Sequence, residues 1–579
     1  MQSSEIDNPT GAVLTGAQIV VEALRAEGVR HVFGYPGGAV LPLYDEIYKQ
    51  TYFEHILVRH EQAAVHAADA YSRCTDEVGV ALVTSGPGAT NAVTGIATAY
   101  ADSIPMVVFS GQVATSLIGT DAFQECDTVG ITRPCVKHNF LVKDVRDLAQ
   151  TIKKAFYIAK SGRPGPVLVD LPKDVQCGKC VFEYPATIDI PSYRPVTRGH
   201  AGQIKKALAV LMQAKKPLVY VGGGAVSSNA SEILNTFVER LGYPVVSTLL
   251  GLGAFESASD KFLGMVGMHG TYEANMAMQN CDVLFAVGAR FDDRVVGNPK
   301  DFCRNPRTII QIDIDPSSIS KNVRTDVPIV GDVREVLTEF AAQMGERRPE
   351  AETSSAWMAQ IAKWRAIKSL AYRHDENGPI KPQAVIEHVC AYTKGEAFYT
   401  TDVGEHQMWA AQYLQLNRPK HWMTSGGLGT MGYGFPAACG ACVAHPDAPV
   451  VCFTGDGSIQ MNIQELGTAK QYGLAPKIFL LNNGYLGMVA LWQRSYYGGR
   501  LSSSVMDVQP DFVKLVESYG HVAIRVHTYA ELDAAIEAAF TTHKDELVFV
   551  DVVIAPEEPV LPMVGPGQGL TDMVLGEEN

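Results

Sequence analysis

Two polar positions in the C-terminal third of the chain have the types and spacing of a metal site. Asp456 lies in a Gly-Asp-Gly turn after the apolar run PVVCFT, and Asn483 follows the apolar run KIFLL 27 positions later. A helical stretch separates the two runs, so we predict a βαβ unit whose parallel strands end at one edge of a sheet. A carboxylate, an amide oxygen and a nearby backbone carbonyl, for which Tyr485 is the candidate, are the hard donors that Mg²⁺ prefers. The pattern therefore predicts a metal that holds a diphosphate.

The spacing resembles that of thiamine-diphosphate enzymes, in which a Gly-Asp-Gly turn precedes Asn-Asn. Either motif alone is more often an ordinary turn, so their combination across a βαβ unit carries the resemblance. Two upstream segments, TTDVGEHQMW (400–409) and TSGGLGTMGYGFPAA (424–438), repeat the pattern of strand, glycine-rich turn and helix start. The resemblance implies that Met431 supports the cofactor in a bent shape, and the alternative is a plain core methionine. The implied contacts on this side of the cofactor are Val403, Gly404, Glu405, His406, Gly429, Met431, Gly455, Gly457 and Ser458.

A glutamate in the N-terminal third is a candidate activator of such a cofactor. In FEHILVRHEQAAVHAADAYSR (53–73), a short strand leads into a helix that begins at Glu61. Taken alone, a glutamate in the first turn of a helix is more often explained by the helix dipole. The turns VFGYPGGAVLPLYD (32–45) and ALVTSGPGATN (81–91) resemble the pyrimidine-binding domain of these enzymes, which implies that Glu61 hydrogen-bonds the pyrimidine in a dry site and promotes proton loss from the reactive carbon. The implied contacts in the first turn are Pro36, Gly37 and Gly38.

The middle of the chain has glycines and acids where apolar runs end. PLVYVGGGAVSS contains a triple glycine, which by itself is a weaker signal than a Gly-x-Gly-x-x-Gly turn. RTIIQIDIDPSSI (307–319) ends in acids that are suitably placed to bind a ribose. With GMVGMHG, AVGARFDD and IVGDV, these turns resemble an FAD-binding middle domain. The implied remaining cofactor contacts are Arg163, Gly222, Gly223, Gly224, Gly267, Met268, His269, Gly288, Arg290, Asp313, Asp315, Gly331 and Asp332.

The elements that must position these residues are short β-branched runs alternating with amphipathic helical stretches. This alternation is typical of α/β domains with parallel sheets. A chain of 579 residues is too long to fold around one hydrophobic core. The predicted breaks between domains are a Pro-rich segment (183–200) and a polar segment (345–356). We predict three doubly wound α/β domains with mainly parallel sheets. They are a thiamine diphosphate pyrimidine-binding domain (1–190), a central FAD-binding domain (191–370) and a diphosphate- and Mg²⁺-binding domain (371–579).

Composition narrows the class of protein. The formal net charge of −14, from 62 acidic and 48 basic residues, argues against nucleic-acid and anionic-membrane partners. No run approaches the length of a membrane span, and the first residues lack the features of a secretory or transit segment. The 11 scattered cysteines are typical of a reducing cytoplasm, where we expect this protein. Cys177 and Cys180 lack a second pair nearby, so a turn is favoured over a zinc site.

Over nearly its whole length the sequence resembles the catalytic subunit of acetohydroxyacid synthase, also called acetolactate synthase. GTDAFQE, RFDDRV and NNGYLGMVALWQ are the more particular stretches. The resemblance implies that pyruvate is decarboxylated on thiamine diphosphate. The hydroxyethyl group is then condensed with pyruvate or 2-ketobutyrate, giving 2-acetolactate or 2-aceto-2-hydroxybutyrate for branched-chain amino acid synthesis. It also implies a homodimer or homotetramer with shared active sites and, as a candidate partner, a separate regulatory small subunit.

The same resemblance assigns residues to the reaction centre. Trp492 would shape the acceptor pocket, where one methylene gives only about 1–3 kcal/mol of discrimination, and Arg294 would bind the acceptor's carboxylate. The alternative for Trp492 is a plain core tryptophan, and the alternative for Arg294 is a surface salt bridge. Gln124 would hydrogen-bond near the centre, Phe123 would line the pocket and Lys173 would line the access channel. The complete implied set is Glu61, Phe123, Gln124, Lys173, Arg294, Met488 and Trp492.

The chain departs from the common pattern of this family at two positions. Ala114 stands where many members have a proline that affects inhibitor binding, and Glu405 replaces a frequent glutamine beside the diphosphate. Two alternatives stay open. One is an enzyme like pyruvate oxidase, with the same cofactors but with electrons passed to the flavin. The other is a catalytically silent binding protein on the same fold.

Overall fold

Apolar runs form strands, and the stretches between them form helices, in the part of the chain that the computed structural model describes, residues 10–349 and 351–576. Residues 1–9 lie outside that part, and so does half of the N-terminal segment that lacks the features of a targeting signal. Residue 350, in the predicted break at 345–356, also lies outside it. The strands are β1 (Val13–Thr15), β2 (His31–Gly34), β3 (Glu54–Leu57), β4 (Gly79–Val83), β5 (Met106–Gln112), β6 (His138–Leu141), β7 (Pro166–Pro172), β8 (Lys179–Val181), β9 (Pro217–Val221), β10 (Val245–Ser247), β11 (Phe262–Met265), β12 (Val283–Val287), β13 (Thr308–Asp313), β14 (Val327–Val330), β15 (Phe398–Thr401), β16 (Trp422–Thr424), β17 (Val450–Gly455), β18 (Lys477–Asn482), β19 (Val522–Val526), β20 (Val548–Val553), β21 (Met563–Val564) and β22 (Met573–Val574). The α-helices are α1 (Gly16–Ala26), α2 (Leu41–Lys49), α3 (Glu61–Cys74), α4 (Pro87–Asp102), α5 (Thr128–Thr132), α6 (Leu148–Lys160), α7 (Lys173–Cys177), α8 (Ala201–Gln213), α9 (Gly223–Ser227), α10 (Ser231–Leu241), α11 (Tyr272–Asn280), α12 (Asp293–Val296), α13 (Pro299–Phe302), α14 (Val333–Met344), α15 (Ala351–Arg365), α16 (Pro382–Thr393), α17 (Glu405–Tyr413), α18 (Gly434–Ala444), α19 (Asp456–Ile459), α20 (Leu466–Tyr472), α21 (Gly487–Tyr496), α22 (Phe512–Ser518) and α23 (Tyr529–Phe540).

The first of two compact units contains the chain up to Arg194, with Gly427–Pro446 and Asn462–Leu474. Its six-stranded sheet has the order β3-β2-β4-β5-β7-β6, and every adjacent pair is parallel. Successive side chains of a strand point to opposite faces. Leu82 therefore packs with helices α1 and α6, whereas Val83 packs with α3 and α4. Helices cover both faces of this sheet, as in a doubly wound domain.

The second unit, which contains the remaining segments, has two six-stranded parallel sheets. The middle sheet has the order β11-β10-β9-β12-β13-β14. Numbered along the chain within this sheet, the order is 3-2-1-4-5-6, that of dinucleotide-binding domains. Helices α8, α10 and α14 cover one face, and α11 and α15 cover the other.

The C-terminal sheet of the same unit has the order β16-β15-β17-β18-β20-β19, again with parallel neighbours. Helices α16, α17 and α23 pack on the face that carries Val451 and Phe453. On the other face, Phe512 of α22 stacks on Phe549 of β20. Numbered within the sheet, the order is 2-1-3-4-6-5, and the sheet of the first unit has this same order.

The predicted fold class, three doubly wound domains with parallel sheets, is confirmed. The three domain boundaries stay predictions, although no described residue between Val181 and Ala201 lies in a helix or strand. The composition from Trp357 to Tyr372 is typical of a helix, but α15 ends at Arg365, because the chain turns there and Lys368 takes a left-handed φ of 54°. No helix in the described ranges is both long and apolar enough to span a membrane.

Candidate active site

The C-terminal sheet has a crevice where its strand order reverses, between β15 and β17. The connection after β15 runs to one side of the sheet, and the connection after β17 runs to the other side. Ligands of open α/β sheets bind at such a point, beyond the carboxyl ends of the strands. Val403 and Gly404 follow β15, and α17 begins at Glu405. Asp456 follows β17 as the first residue of α19. The sheet therefore brings these predicted residues to one edge.

Asp456 is buried at this edge, with only 1% of its surface exposed. Its Oδ2 accepts hydrogen bonds from the backbone N–H of Gly484, at 2.7 Å, and from the side-chain amide of Gln509. Its Oδ1 accepts the N–H of Gly457 at 3.0 Å. Burial raises the pKa of the Asp456 carboxyl to about 6, although these hydrogen bonds oppose the rise. A cation bound here would offset that cost of burial.

Asn483 directly follows β18, and β17 and β18 are paired so that Gly455 lies opposite Leu481. The Asn483 Nδ2 donates to Glu405 Oε2 at 3.4 Å, and its Oδ1 accepts the N–H of Tyr485 at 3.1 Å. The residues that the structure describes include no group of three or more His, Cys, Asp and Glu side chains arranged for a metal. The predicted set has one carboxylate and relies on amide and backbone oxygens, which suit Mg²⁺.

Glu405 is a second buried acid at this edge. Burial raises the pKa of its carboxyl to about 8; the guanidinium of Arg494 opposes the rise and the carboxylate of Asp456 adds to it. A Cβ at position 487 would overlap the Glu405 carboxylate, which would have to move to make room for it. The carboxylate is therefore held between the amide of Asn483 and the start of helix α21.

His406 provides an unpaired polar atom at the same crevice. Its ring lies beside Gly404 and Gly455, and a Cβ at Gly455 would lie 2.8 Å from the ring Nδ1. The ring is buried, and its Nε2 has no hydrogen-bond partner among the described residues. Burial lowers the pKa of the ring to about 3. Ser458 donates its hydroxyl to the backbone oxygen of Val403 at 3.2 Å. A neutral imidazole whose polar atom lacks a partner fits an oxygen-rich ligand bound at this helix start.

The sheet of the first unit has its reversal between β2 and β4. The turn with Pro36, Gly37 and Gly38 follows β2, and a Cβ at Gly37 would overlap Thr84, which follows β4. The hydroxyl of Thr84 is buried and has no hydrogen-bond partner in the part of the chain that the structure describes. The two turns therefore pack closely and leave one polar atom unsatisfied beside them.

Glu61 begins α3 in this first unit, directly after the helix-capping His60. It is buried, and Asn91 of α4 donates its Nδ2 to Glu61 Oε2 at 3.0 Å. A Cβ added to Gly88 would lie 3.3 Å from Glu61 Oε1. Glu61 is thus a dry carboxylate with one fixed oxygen.

The segment with Phe123 and Gln124 lies against the β4 turn. A Cβ at Gly86 would be 2.8 Å from the Gln124 backbone oxygen, and Gln124 itself has a left-handed φ of 59°. Phe123 is 89% exposed. Lys173, the first residue of α7, is also exposed. The structure brings Gln124 towards the turns near Glu61 and leaves Phe123 and Lys173 without buried contacts among the described residues.

The middle-sheet predictions converge on one edge. The glycines after β9 pack against the turn after β12, since a Cβ at Gly224 would lie 2.8 Å from the Gly288 Cα. Asp313 ends β13 and accepts the N–H of Asp315 at 2.9 Å. Asp315 and Asp332 each cap a following helical turn, so their carboxylates already accept backbone N–H groups. The other residues at the ends of these strands are Gly222, Gly223, Gly267, Met268, His269, Arg290 and Gly331.

Arg163 belongs to the first unit, where its Nε donates to the Ser103 hydroxyl at 2.8 Å. Arg294 lies on the short helix α12, with a side chain that is 66% exposed and a guanidinium 4.0 Å from Met268 Sδ. It therefore remains accessible to a ligand's carboxylate.

Met488 and Trp492 lie one helical turn apart on α21, so they share a face of this helix. Both are half-buried. The Trp492 ring packs against Tyr496, with ring centroids 5.5 Å apart. Trp492 is thus neither the plain core tryptophan of the alternative interpretation nor a freely exposed one.

Three residues in these contacts were not predicted. Asn91 ends the stretch SGPGATN, whose sequence indicates a turn and gives no sign of a contact with Glu61. Gln509 reaches Asp456 from a loop with no pattern, 53 positions away, so nothing in the sequence indicated it. The guanidinium of Arg494 lies over the Tyr485 ring, 4.7 Å from its centroid, and its helical spacing from Trp492 gave no reason to select it.

Comparison with known proteins gives full-length similarity. The sequence matches the families described as "Thiamine pyrophosphate enzyme, N-terminal TPP binding domain" over residues 14–131, "central domain" over 204–340 and "C-terminal TPP binding domain" over 402–552. It is 56% identical to the "Acetolactate synthase isozyme 3 large subunit" of Escherichia coli (strain K12), over 98% of this chain and 99% of that protein. It is 54% identical to the "Acetolactate synthase large subunit" of Haemophilus influenzae, over 97% and 98%. The corresponding subunit of Buchnera aphidicola subsp. Schizaphis graminum is 55% identical, over 97% and 99%.

Proposed function

The chain belongs to the large-subunit family of acetolactate synthases and is a thiamine-diphosphate-dependent enzyme, and we propose that it holds this cofactor through Mg²⁺ at its C-terminal sheet. Asp456, the amide oxygen of Asn483 and the backbone oxygen of Tyr485 would be the metal's protein ligands. The observation that carries this proposal is a buried carboxylate beside an amide oxygen at the reversal point of a parallel sheet. His406 would donate to a diphosphate oxygen, which would satisfy its buried ring.

When bound, thiamine diphosphate supplies a carbon that adds to the keto group of pyruvate and stabilises the charge left by departing CO₂. Glu61 would hydrogen-bond the cofactor's pyrimidine and hold the proton there. Its burial and its fixed contact with Asn91 support this role, since a dry and immobile carboxylate is what proton transfer at a chosen atom requires. Gln124 would hydrogen-bond near the reacting atoms, with Phe123 and Lys173 at the entrance.

The acceptor would be pyruvate or 2-ketobutyrate, and the products 2-acetolactate or 2-aceto-2-hydroxybutyrate. Arg294 would bind the acceptor's carboxylate, for which its exposed guanidinium is suited. Trp492 and Met488 would contact the acceptor's alkyl group. Their shared, half-buried face on α21 supports an apolar pocket that favours the larger ethyl group.

We further propose FAD at the carboxyl edge of the middle sheet. The dinucleotide-type strand order and the glycine turn after β9 fit such a ligand. Asp313 is a better candidate than Asp315 or Asp332 for a ribose contact, because the latter two carboxylates already cap helical turns. An enzyme that does not use this flavin for electron transfer would retain it as a structural group.

The proposed assembly is a homodimer or homotetramer in which Glu61 of one subunit serves the cofactor held by Asp456 of another. A separate regulatory small subunit is a candidate partner, because the relatives reported above are named as large subunits. The eleven free cysteines support a cytoplasmic location.

The decisive experiment is product analysis after incubation with pyruvate, thiamine diphosphate, Mg²⁺ and FAD. Acetolactate is expected, and adding 2-ketobutyrate should give 2-aceto-2-hydroxybutyrate as well. Under anaerobic conditions with pyruvate, flavin absorbance should stay unchanged during turnover. Stoichiometric bleaching at the turnover rate would instead favour pyruvate oxidase chemistry, and absence of any product would favour a silent binding protein.

A further inference from the structure

The loop from Gly427 to Tyr433 connects β16 to α18 and belongs to the first unit. It carries Met431, which is half-buried. Gly429 and Gly432 both have left-handed φ angles, of 73° and 85°. Because glycines do little to restrict a backbone, the conformation of this loop must be fixed by contacts from neighbouring helices.

Two buried carboxylates hold the two ends of the loop. Asp102, the last residue of α4, accepts the N–H of Gly427 on Oδ1 at 2.7 Å. Asp69 of α3 accepts the hydroxyl of Tyr433 on Oδ1 at 2.7 Å. The side chains of both aspartates are fully buried. Each end of the loop therefore depends on a carboxylate that needs a nearby positive charge.

Arg73 supplies that charge to both aspartates at once. Its Nε donates to Asp69 Oδ1 at 2.6 Å and its Nη2 to Asp102 Oδ2 at 2.8 Å. The guanidinium also lies over the Tyr433 ring, 5.4 Å from the centroid. A planar guanidinium directs its donors in fixed directions, whereas a lysine is a single point charge that cannot reproduce both bonds. Arg73 thus sets the separation between the two anchors.

Two other contacts hold the middle of the loop without Arg73. The Thr98 and Thr430 hydroxyls are 2.7 Å apart, and Asn462 Nδ2 donates to the Gly432 backbone oxygen at 2.7 Å. A loop that keeps these contacts stays attached when the ends loosen. Changes at Arg73 should therefore alter the presentation of Met431 without releasing the loop.

We propose that Arg73 is a positioning residue for Met431: by bridging Asp69 and Asp102 it fixes both ends of the loop and so determines how Met431 meets the thiamine cofactor. The inference rests on the proposed function and on the cofactor contact that the resemblance to thiamine-diphosphate enzymes implies for Met431. A lysine at position 73 keeps the charge but loses one anchor, so the loop shifts and the cofactor binds less tightly.

The test is a double-mutant cycle of Arg73→Lys and Met431→Ala in the full-length protein. Mg²⁺-dependent binding of thiamine diphosphate to cofactor-free protein is measured by calorimetry, with turnover as a second readout. Each single variant is expected to weaken the affinity by about tenfold. The double variant should bind no more weakly than Met431→Ala, because a residue that acts through Met431 has no further effect once that side chain is gone.

Arg146→Lys is the matched control, since Arg146 makes an exposed ion pair with Asp144 in the same unit, and no change is expected there. If Arg73→Lys does not fold, Tyr433→Phe replaces it in the cycle, because it removes one hydroxyl contact and leaves the ion pairs intact. Additive losses in the double variant would overturn the positioning role of Arg73. Full affinity and turnover in Met431→Ala would instead contradict the proposed role of Met431, a result that is distinct from additivity.

Discussion

The N-terminal and C-terminal sheets have the same strand order, 2-1-3-4-6-5, but different chemistry at their equivalent edges. At the N-terminal edge, Glu61 is held by an asparagine, next to tight glycine turns. The C-terminal edge gathers two buried acids, Asp456 and Glu405, with a histidine and an asparagine. Strand order thus determines where on each sheet a ligand can bind, while the few residues after each strand determine which chemical groups could be bound there.

A further difference lies inside the two sheets. Asp170 of β7 and Asp551 of β20 lie in equivalent strands, and both are buried. Within residues 10–349 and 351–576, the donors to Asp170 are neutral: the Ser110 hydroxyl and the Gln112 amide. Asp551 accepts from the guanidinium of Arg525 and from Asn482. The same fold therefore tolerates a buried acid with or without a neighbouring cation, and replacing the two acids should affect the stability of the protein differently.

The largest expected effect is at Glu61. Glu61→Gln keeps the shape and the contact with Asn91 but removes the proton acceptor, so turnover should fall by about 10²–10⁴-fold, the usual contribution of a positioned acid or base. Cofactor affinity should change little, because the proposed metal ligands Asp456 and Asn483 are unchanged in this variant. Steady-state rates and calorimetric binding measure the two quantities. Glu54→Gln, at an exposed position of β3, is the control, and normal turnover in Glu61→Gln would remove that residue from catalysis.

Asp456→Asn should give the opposite pattern. The amide has a similar size but lacks the charge that a cation needs. Affinity for thiamine diphosphate with Mg²⁺ should therefore fall by about 100-fold, at or above the largest loss that is usual when a residue supporting a metal ligand is replaced. At saturating cofactor, much of the turnover should return. Asp447→Asn, an exposed change before β17, should bind normally. If Asp456→Asn bound the cofactor like the parent protein, the metal assignment would be wrong.

Trp492→Leu tests whether the C-terminal edge also selects the acceptor. Loss of apolar contact with one extra methylene should lower the preference for 2-ketobutyrate over pyruvate by roughly tenfold, while acetolactate formation survives. Product ratios in a mixture of both acceptors measure this. Trp364→Leu in the middle domain, also half-buried, should leave the ratio unchanged. An unaltered ratio in Trp492→Leu would leave it a packing residue.

The sequence predicted the positions of strand ends well, because apolar runs followed by glycine and acid are local patterns. β17 and β18 end beside Asp456 and Asn483 as expected from the βαβ pattern. Strand order was not predictable, since pairing such as β4 with β2 depends on long-range packing. For the same reason Gln509 and Asn91 escaped notice, because each reaches its partner only after folding. Helix α15 ended early because local turn geometry outweighed a favourable composition.

The effect expected at Asp170 is on stability and not on activity, and it depends on pH. Burial raises the pKa of this carboxyl to about 7, against the opposing hydrogen bonds from Ser110 and Gln112. The folded state then binds a proton that the unfolded state has already lost. Between about pH 4 and 7 the folded protein therefore loses stability as pH rises, by roughly 4 kcal/mol at most. Asp170→Asn removes this dependence. The stability of the variant relative to that of the parent protein should therefore be higher at pH 8 than at pH 5.

Asp551→Asn is the matched comparison in the C-terminal sheet. It deprives Arg525 of its buried carboxylate partner, so the thermal midpoint at pH 8 should fall, whereas that of Asp170→Asn should stay level or rise by roughly a few degrees. Thermal midpoints of the parent and both variants at pH 5 and pH 8 measure the difference. Equal losses for both variants at pH 8 would mean that the hydroxyl and amide donors of Asp170 stabilise its carboxylate as well as the guanidinium of Arg525 stabilises that of Asp551.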